Sequence, residues 1–319
     1  MIFMSNLARW IDELPHLRND ERLISILYTL GIGTKEQIEV ITGWSGLKIR
    51  DLVAKIRNNV PIPEYHHKQK QLLAQAKKDK SLISDVEYQN LEMKVIKDIA
   101  KIERARDGWI TSIRPHGIKG VSYYTLGESG IDMARMIRRE AYQKKKFKDN
   151  PKSQFDHFYG TNEVLCRVRR KGIMEIDWLS GQEMRKGDLH YYWNRENSGN
   201  PIPYKPDAYI EMNDRYYVEF DTGSESNGKL RNRFNNCLKL YNLITDTEKN
   251  RLPNNIIWVC RTEKRKHRIE QIAKEVLADS LELNNATIED IRVPTSYCFI
   301  EGDDTKFLLG EIEAVPFWG

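Results

Sequence analysis

The segment KPDAYIEMNDRYYVEFDTGSES, residues 205–226, constrains the fold of this chain more than any other. Strand-forming residues on either side of Met212, Asn213 and Asp214 predict two antiparallel strands around a turn. Asp207 stands at the start of the first strand and Glu219 near the end of the second. A three-residue loop sets Glu211 opposite Arg215, so that Asp207 falls directly opposite Glu219 on one face. A two-residue loop shifts the register by one and sends the two carboxylates to opposite faces. A site made of both therefore implies the longer loop, with the αL residue that such loops usually carry. Like charges directly across a ladder repel, and a fold tolerates them when a cation or a shared proton lies between them. Further on, NNIIWVCRT has the continuous apolar run of a central strand covered on both faces, and EKRKHRIEQIAKEVL returns as an amphipathic helix. These elements predict a mixed sheet with helices on both sides. SYCFIEG and TKFLLGEI read as one or two last strands.

The first half of the chain is patterned differently. Leu23, Ile24, Ile26, Leu27 and Leu30 share a helical face, with Asn19 or Asp20 as N-cap and Gly31 past the end. Thr34 caps KEQIEVITG, and SGLKIRDLVAKIRNN follows with Leu47, Leu52, Val53 and Ile56 as its apolar stripe. Three helices, the last two joined by a short turn with glycine, outline a helix-turn-helix. GWITSIR and GVSYYTL read as the strands of a hairpin with RPHGIKG as its tip, and IDMARMIRRE as the next helix. The ending from Tyr124 to Gly130 resembles the wing of bacterial winged-helix regulators. The stretch 61–106 interrupts that order and reads as two charged helices. It is either a dimerising element, giving a homodimer, or a decorated insertion without a partner.

Charge along the chain is uneven. The whole sequence of 319 residues carries a net charge of +5, whereas Arg135 to Lys152 alone has an excess of six positive charges and ends in the turn-rich DNPKS. A domain boundary is expected there, giving 1–150 and 151–319. The basic run is either a solvated linker or a strip that touches phosphates. With it, Lys48, Arg50, Lys55 and Arg57 on the third helix and Arg114, His116 and Lys119 at the wing form a candidate surface for double-stranded DNA. The alternative is a helical domain that contacts protein. No apolar run approaches the ~18–20 residues of a bilayer span, and MIFMSNLARW turns charged too early for a signal peptide, so a cytoplasmic protein is expected. Cys166, Cys237, Cys260 and Cys298 form neither a C-x-x-C pair nor a disulfide framework and read as core thiols.

Hard oxygen ligands at the geometry of Asp207 and Glu219 suit Mg²⁺ or Mn²⁺. At Pro206-Asp207 and Glu219 the chain resembles the PD-(D/E)xK nuclease superfamily, and Asp221 stands where that motif has lysine. The resemblance implies a restriction-endonuclease-like fold, with a metal held by Asp207 and Glu219. By its place on the preceding helix, Glu163 matches a further acidic residue of that superfamily. Lys229 or Arg233, one turn apart on the helix after the hairpin, offers a cation in place of the lysine. Lys229 with Asp207, Glu219 and Asp221 makes the catalytic set of a metal-dependent deoxyribonuclease. The longer pattern P-D-A-x-x-E, hairpin, V-E-x-D-x-G-x-E-S and basic helix is similar to the replication-relaxation family of plasmid and mobile-element proteins. That resemblance implies an α+β protein with a winged helix before a nuclease-like domain. Two functions follow from it: a DNA-binding protein that carries a nuclease, or a non-enzymatic DNA-binding regulator whose nuclease fold is degenerate.

Overall fold

The computed structural model describes residues 17–60, 62, 64–79, 82–113, 123–138, 154–181, 204–243 and 252–319. These form ten helices and two small sheets, an α+β protein. The chain divides into two compact units, one of Leu17–Glu39 and Trp44–Lys152, the other of Ser153–Gly319 with Val40–Gly43. Among the described residues no helix is long and apolar enough to cross a membrane.

The first unit opens with α1 (Asn19–Leu30), β1 (Ile32–Thr34), α2 (Lys35–Thr42), which belongs to it as far as Glu39, and α3 (Gly46–Asn58). The N-cap of α1 is Arg18 rather than Asn19 or Asp20, because the Glu21 carboxylate accepts from the Arg18 backbone N–H at 2.9 Å while Asp20 is buried. Thr34 and Gln37 close a reciprocal capping pair at the start of α2. On α3 the inward face is Ile49, Val53 and Ile56; Leu47, expected inside, points to solvent. The spacing of four and then three from Ile49 continues the stripe, whereas Leu47 lies two residues off it. Then come α4 (Glu64–Lys78), α5 (Asp85–Asp107), β2 (Ile110–Ile113), β3 (Tyr123–Leu126) and α6 (Glu128–Ile137). β3 is the middle strand of an antiparallel sheet ordered β1-β3-β2. The short β1 carries too few residues for a periodic signal and is not foreseen in the sequence. Both glycines that end the hairpin are sterically required. A Cβ on Gly127 would sit 2.2 Å from the Asp107 carbonyl oxygen, and one on Gly130 2.3 Å from that of Trp109.

The second unit is a five-stranded sheet ordered β4 (Asp177–Ser180), β5 (Ala208–Glu211), β6 (Arg215–Asp221), β7 (Asn255–Cys260) and β8 (Thr295–Ile300). β4, β5 and β6 pair antiparallel, and β6, β7 and β8 parallel. Helices α7 (Phe155–Arg170), α8 (Asn227–Leu243), α9 (Glu263–Asn284) and α10 (Asp303–Leu308) complete it. β7 is buried throughout Ile256–Cys260, as its apolar run requires. One core joins Tyr209, Tyr217 and Trp258 of the sheet to Leu230, Phe234 and Cys237 of α8 and Ile269, Ile272 and Val276 of α9. TKFLLGEI is not a strand: α10 begins at Asp303, where the Asp304 carboxylate accepts from the Gly302 N–H at 2.7 Å. All four cysteines are free and buried.

Helix α7 meets β6 where Gly160 faces the ring of Phe220, itself 1% exposed, and a Cβ on Gly160 would stand 2.0 Å from that ring. Gly160→Ala is therefore expected to cost about 1–3 kcal/mol by overpacking. Chemical denaturation of the variant and the parent measures it, and equal midpoints would mean that α7 shifts freely on the sheet.

Candidate carboxylate–arginine site

The hairpin sets the site. Glu211 pairs with Arg215 and Ala208 with Val218, so the loop has three residues; just before Ala208 the Asp207 N–H donates to the Val218 carbonyl at 3.0 Å, and the paired register stops short of Glu219. No residue of the loop is left-handed; among the described residues only Asn285 and glycines have positive φ. Asp214 replaces the αL device. Its carboxylate accepts from the Arg215 N–H at 2.7 Å and from Asn255 Nδ2 at 2.7 Å, and its carbonyl from the Met212 N–H at 3.1 Å. At the other end of the hairpin, Asp207 Oδ2 accepts from the Phe220 N–H at 2.8 Å.

Between the two carboxylates stands the guanidinium of Arg233. Its Nη1 lies 3.0 Å from Glu219 Oε2 and its Nη2 3.8 Å from Asp207 Oδ1, with Glu225 Oε1 at 3.9 Å. His157 Nε2 approaches Asp207 Oδ1 at 3.0 Å. Glu219 is fully buried and neither of its carboxylate oxygens meets hydrogen-bond geometry, nor does the hydroxyl of buried Tyr204. Arg233 comes inward because Leu230, Phe234 and Cys237 around it on α8 are core residues, and its guanidinium lies 6.0 Å from the Trp258 ring centre. His157 lies on α7 in line with Thr161, Val164 and Val168, all buried.

The charges divide unequally. Burial pushes the Asp207 carboxyl up, but His157 and Arg233 and the Phe220 N–H outweigh it, and its pKa lies below the ordinary range. Burial likewise pushes Glu219 up, Arg233 pulls it down, Asp207 pushes it up again, and the balance lies well above. The charge of Asp207 raises His157 despite its burial. Burial opposes the charge on Arg233, yet Glu219, Asp207 and Glu225 together hold its proton.

Other expected site residues are placed elsewhere. Asp221 is buried and pairs with Arg265 Nε of α9 at 2.6 Å, while its Oδ1 accepts from the Gly223 N–H at 2.7 Å. Arg265 also donates to the Glu225 carbonyl oxygen at 2.8 Å, so its guanidinium is held inward. Glu163 pairs with Arg170 of its own helix at 2.7 Å. Six residues past His157, it sits about 120° around the helix and ~9 Å along it, so His157 and not Glu163 is the α7 residue that reaches Asp207. Lys229 is exposed on α8, and Arg233 takes the position at the carboxylates. The sequence signals His157 and Arg265 as partners only weakly, in that both fall beside apolar residues at helical spacing.

A divalent cation on Asp207 and Glu219 needs oxygens turned to a common point. Here both carboxylates turn to the guanidinium of Arg233, which already fills that point with a fixed cation, so the arrangement as it stands does not fit Mg²⁺ or Mn²⁺. Among the described residues no three His, Cys, Asp or Glu side chains converge on a metal position.

In the first unit Arg50 and Lys55 lie on the solvent face of α3, with Leu47, Asp51, Ala54 and Asn58. Lys48 lies 4.5 Å over the Trp44 ring, and Lys55 Nζ is 3.5 Å from Asp20. Arg57 does not join that face. It donates to Asp107 at 2.7 Å, to Glu103 at 2.9 Å and to the Ile110 carbonyl, fastening α3 to α5 and β2. Arg114, His116, Lys119 and most of the basic run to Lys152 lie outside the described residues.

Two outcomes follow for the cluster. Arg233→Leu leaves two buried carboxylates facing each other and should lower stability by about 3–5 kcal/mol, read from denaturant unfolding. His157 has a raised pKa in the folded state, so its contribution is whole below its unfolded value of about 6.5 and is lost as pH rises through the folded one. The parent should thus lose stability on that alkaline limb, and His157→Gln should lose less. Equal slopes in both would separate His157 from the charge of Asp207.

The family model described as Replication-relaxation matches residues 85–252, just over half of the chain, a span that includes Asp207, Glu219, Asp221 and Arg233. No curated protein and no solved structure matches the chain.

Proposed function

As the chain belongs to the replication-relaxation family, we propose that it is a non-enzymatic DNA-binding regulator of plasmid or mobile-element replication, with a nuclease-like unit whose cleavage chemistry has given way to a fixed ion-pair cluster. The observation that carries this reading is the guanidinium of Arg233 between Asp207 and Glu219.

The first unit is read as a winged helix with an insertion. The order α1, β1, α2, α3, then β2, β3 and α6, with β3 between β1 and β2, supports it. On this reading α3 is the helix that enters the major groove. Ser45 caps it, its Oγ accepting from the Lys48 N–H at 3.3 Å, and Arg50 and Lys55 face outward for phosphate or base edges. Leu47 and Ala54 on the same face offer apolar contact to a thymine methyl. Arg57, used internally, instead fixes the pitch of α3 against the long helix α5.

The second unit is read as nuclease-like from its antiparallel hairpin followed by two parallel strands, with Pro206-Asp207 and Glu219 on the hairpin. In a metal nuclease the cation lowers the pKa of bound water and neutralises charge on the phosphodiester. An arginine in that position holds one positive charge permanently and presents no water. It keeps the hairpin closed, and the lysine position, now Asp221, is closed in the same way by Arg265.

The test joins binding to cleavage. The full chain should bind duplex DNA with steep salt dependence, as release of counterions by several Lys and Arg requires. Arg50→Glu with Lys55→Glu should weaken that binding by about tenfold or more, whereas Asp207→Asn should leave it unchanged. Incubated with supercoiled, linear or single-stranded DNA and Mn²⁺, the protein should leave every substrate intact. Cleavage that disappears in Asp207→Asn would replace this reading with the nuclease, and binding indifferent to salt and to both α3 charges would make α3 a protein-contact helix.

A further inference from the structure

The insertion helix α5 carries an apolar stripe that is uncovered among the described residues. Val95 is buried and Leu91 and Ile102 are half-buried on the side that packs on α4. On the opposite side Val86, Met93 and Ile96 are 67%, 56% and 59% exposed, and Ala100 continues the line. With Gln89 included, the positions 86, 89, 93, 96 and 100 step alternately by three and four, the spacing of a two-helix seam. Glu103 would be next, but it is bound to Arg57 and Arg106, so the seam stops at Ala100 after about 21 Å.

The charges beside this seam say what covers it. Asp85 and Glu92 border it on one side, and Lys97, Lys101 and Arg104 border it on the other; all five are exposed. An antiparallel partner of the same sequence would set each border against itself, acid on acid and base on base. A parallel partner sets the acidic border against the basic one, and brings Glu92 of one copy to Lys97 of the other, five residues on, the distance at which such seams form their flanking ion pairs. Among the described residues neither Glu92 nor Lys97 has an ion-pair partner within its own chain.

We propose that α5 joins two copies of this chain side by side in parallel, in register along Val86, Met93, Ile96 and Ala100, with two Glu92–Lys97 pairs across a two-fold axis. Gln89 sits in the seam opposite its own copy, where a polar pair fixes register at some loss of strength. Since Arg57 fastens α3 to α5 within each copy, the pair presents two α3 helices related by the same axis, suited to a DNA site with two inverted halves. That last consequence rests on the DNA-binding reading above. The association itself does not, and is measured without DNA.

Sedimentation of the full chain over a concentration series should show a reversible monomer–dimer equilibrium. Glu92→Lys and Lys97→Glu should each weaken it by about tenfold, since each makes two like-charge contacts, and the double exchange should return it to within about threefold of the parent. Ile96→Glu, at an exposed position, should leave the helical signal intact and abolish the dimer. A chain that remains monomeric at every concentration overturns the proposal. So does a dimer that the single charge reversals leave unchanged or that the double exchange fails to restore.

Discussion

Arg233 is the contact on which the second unit depends. A guanidinium with 22% of its side chain exposed is an expensive group to bring inside, and an isolated buried carboxylate is no cheaper. Each makes the other tolerable. Glu219 sits on a central strand with none of its side chain exposed, and it can remain there because a cation reaches it at 3.0 Å. Removing Arg233 would leave Glu219 without a cation beside the charge of Asp207, and removing the two acids would leave Arg233 stranded against Trp258 and the core stripe of α8. The local chemistry therefore binds α8 to the hairpin more specifically than apolar contact alone can, since no slip of the hairpin register keeps both carboxylates at one guanidinium.

The unequal titration of the two acids follows from what each faces. Asp207 has His157, Arg233 and a backbone N–H, three sources of positive potential, and stays ionised. Glu219 has Arg233 and the nearby Tyr204 hydroxyl against full burial and the charges of Asp207 and Glu225, and holds its proton more tightly. The pair thus meets the repulsion of like charges by both available routes, a fixed cation and a retained proton. Asp221, two residues farther along the same face, repeats the solution on a smaller scale with Arg265 and the Gly223 N–H.

Much of this geometry is legible in the sequence where it depends on period and register. The hairpin loop length follows once Asp207 and Glu219 are required to share a face, and the sheet pairs as that arithmetic demands. The apolar run of β7 and the stripes of α1 and α9 are equally readable. What escapes is the choice among cations. Lys229 and Arg233 share one side of α8, but Arg233 borders the stripe of Leu230, Phe234 and Cys237, about 40° from Cys237, and Lys229 lies about 40° farther round. His157 was hidden by Phe158, whose larger apolar side chain suggests the inward position, although the buried line through Thr161, Val164 and Val168 runs through His157. Arg57 deceived in the opposite sense. A basic residue on a candidate DNA helix reads as a phosphate contact, and nothing local reveals that Glu103 and Asp107, some fifty residues away, claim it.

The same pair of carboxylates supports two different outcomes according to what lies between them. A divalent cation satisfies the charge but is exchangeable, and it carries water whose proton it makes acidic. A guanidinium satisfies the charge with a planar, permanently protonated group that is covalently part of the fold. Exchange of one for the other preserves the hairpin, its register and the burial of Glu219, because all three depend only on a positive charge at that point. It does not preserve the water. Under the proposed reading, Asp221 in the lysine position fits this logic, since a lysine there would add a second cation beside Arg233, whereas Asp221 with Arg265 adds a neutral pair. On the reading proposed here, the substitution at position 221 and the inward arginine at position 233 are two parts of one change, by which a charge constraint inherited from a metal site is met by the protein's own side chains.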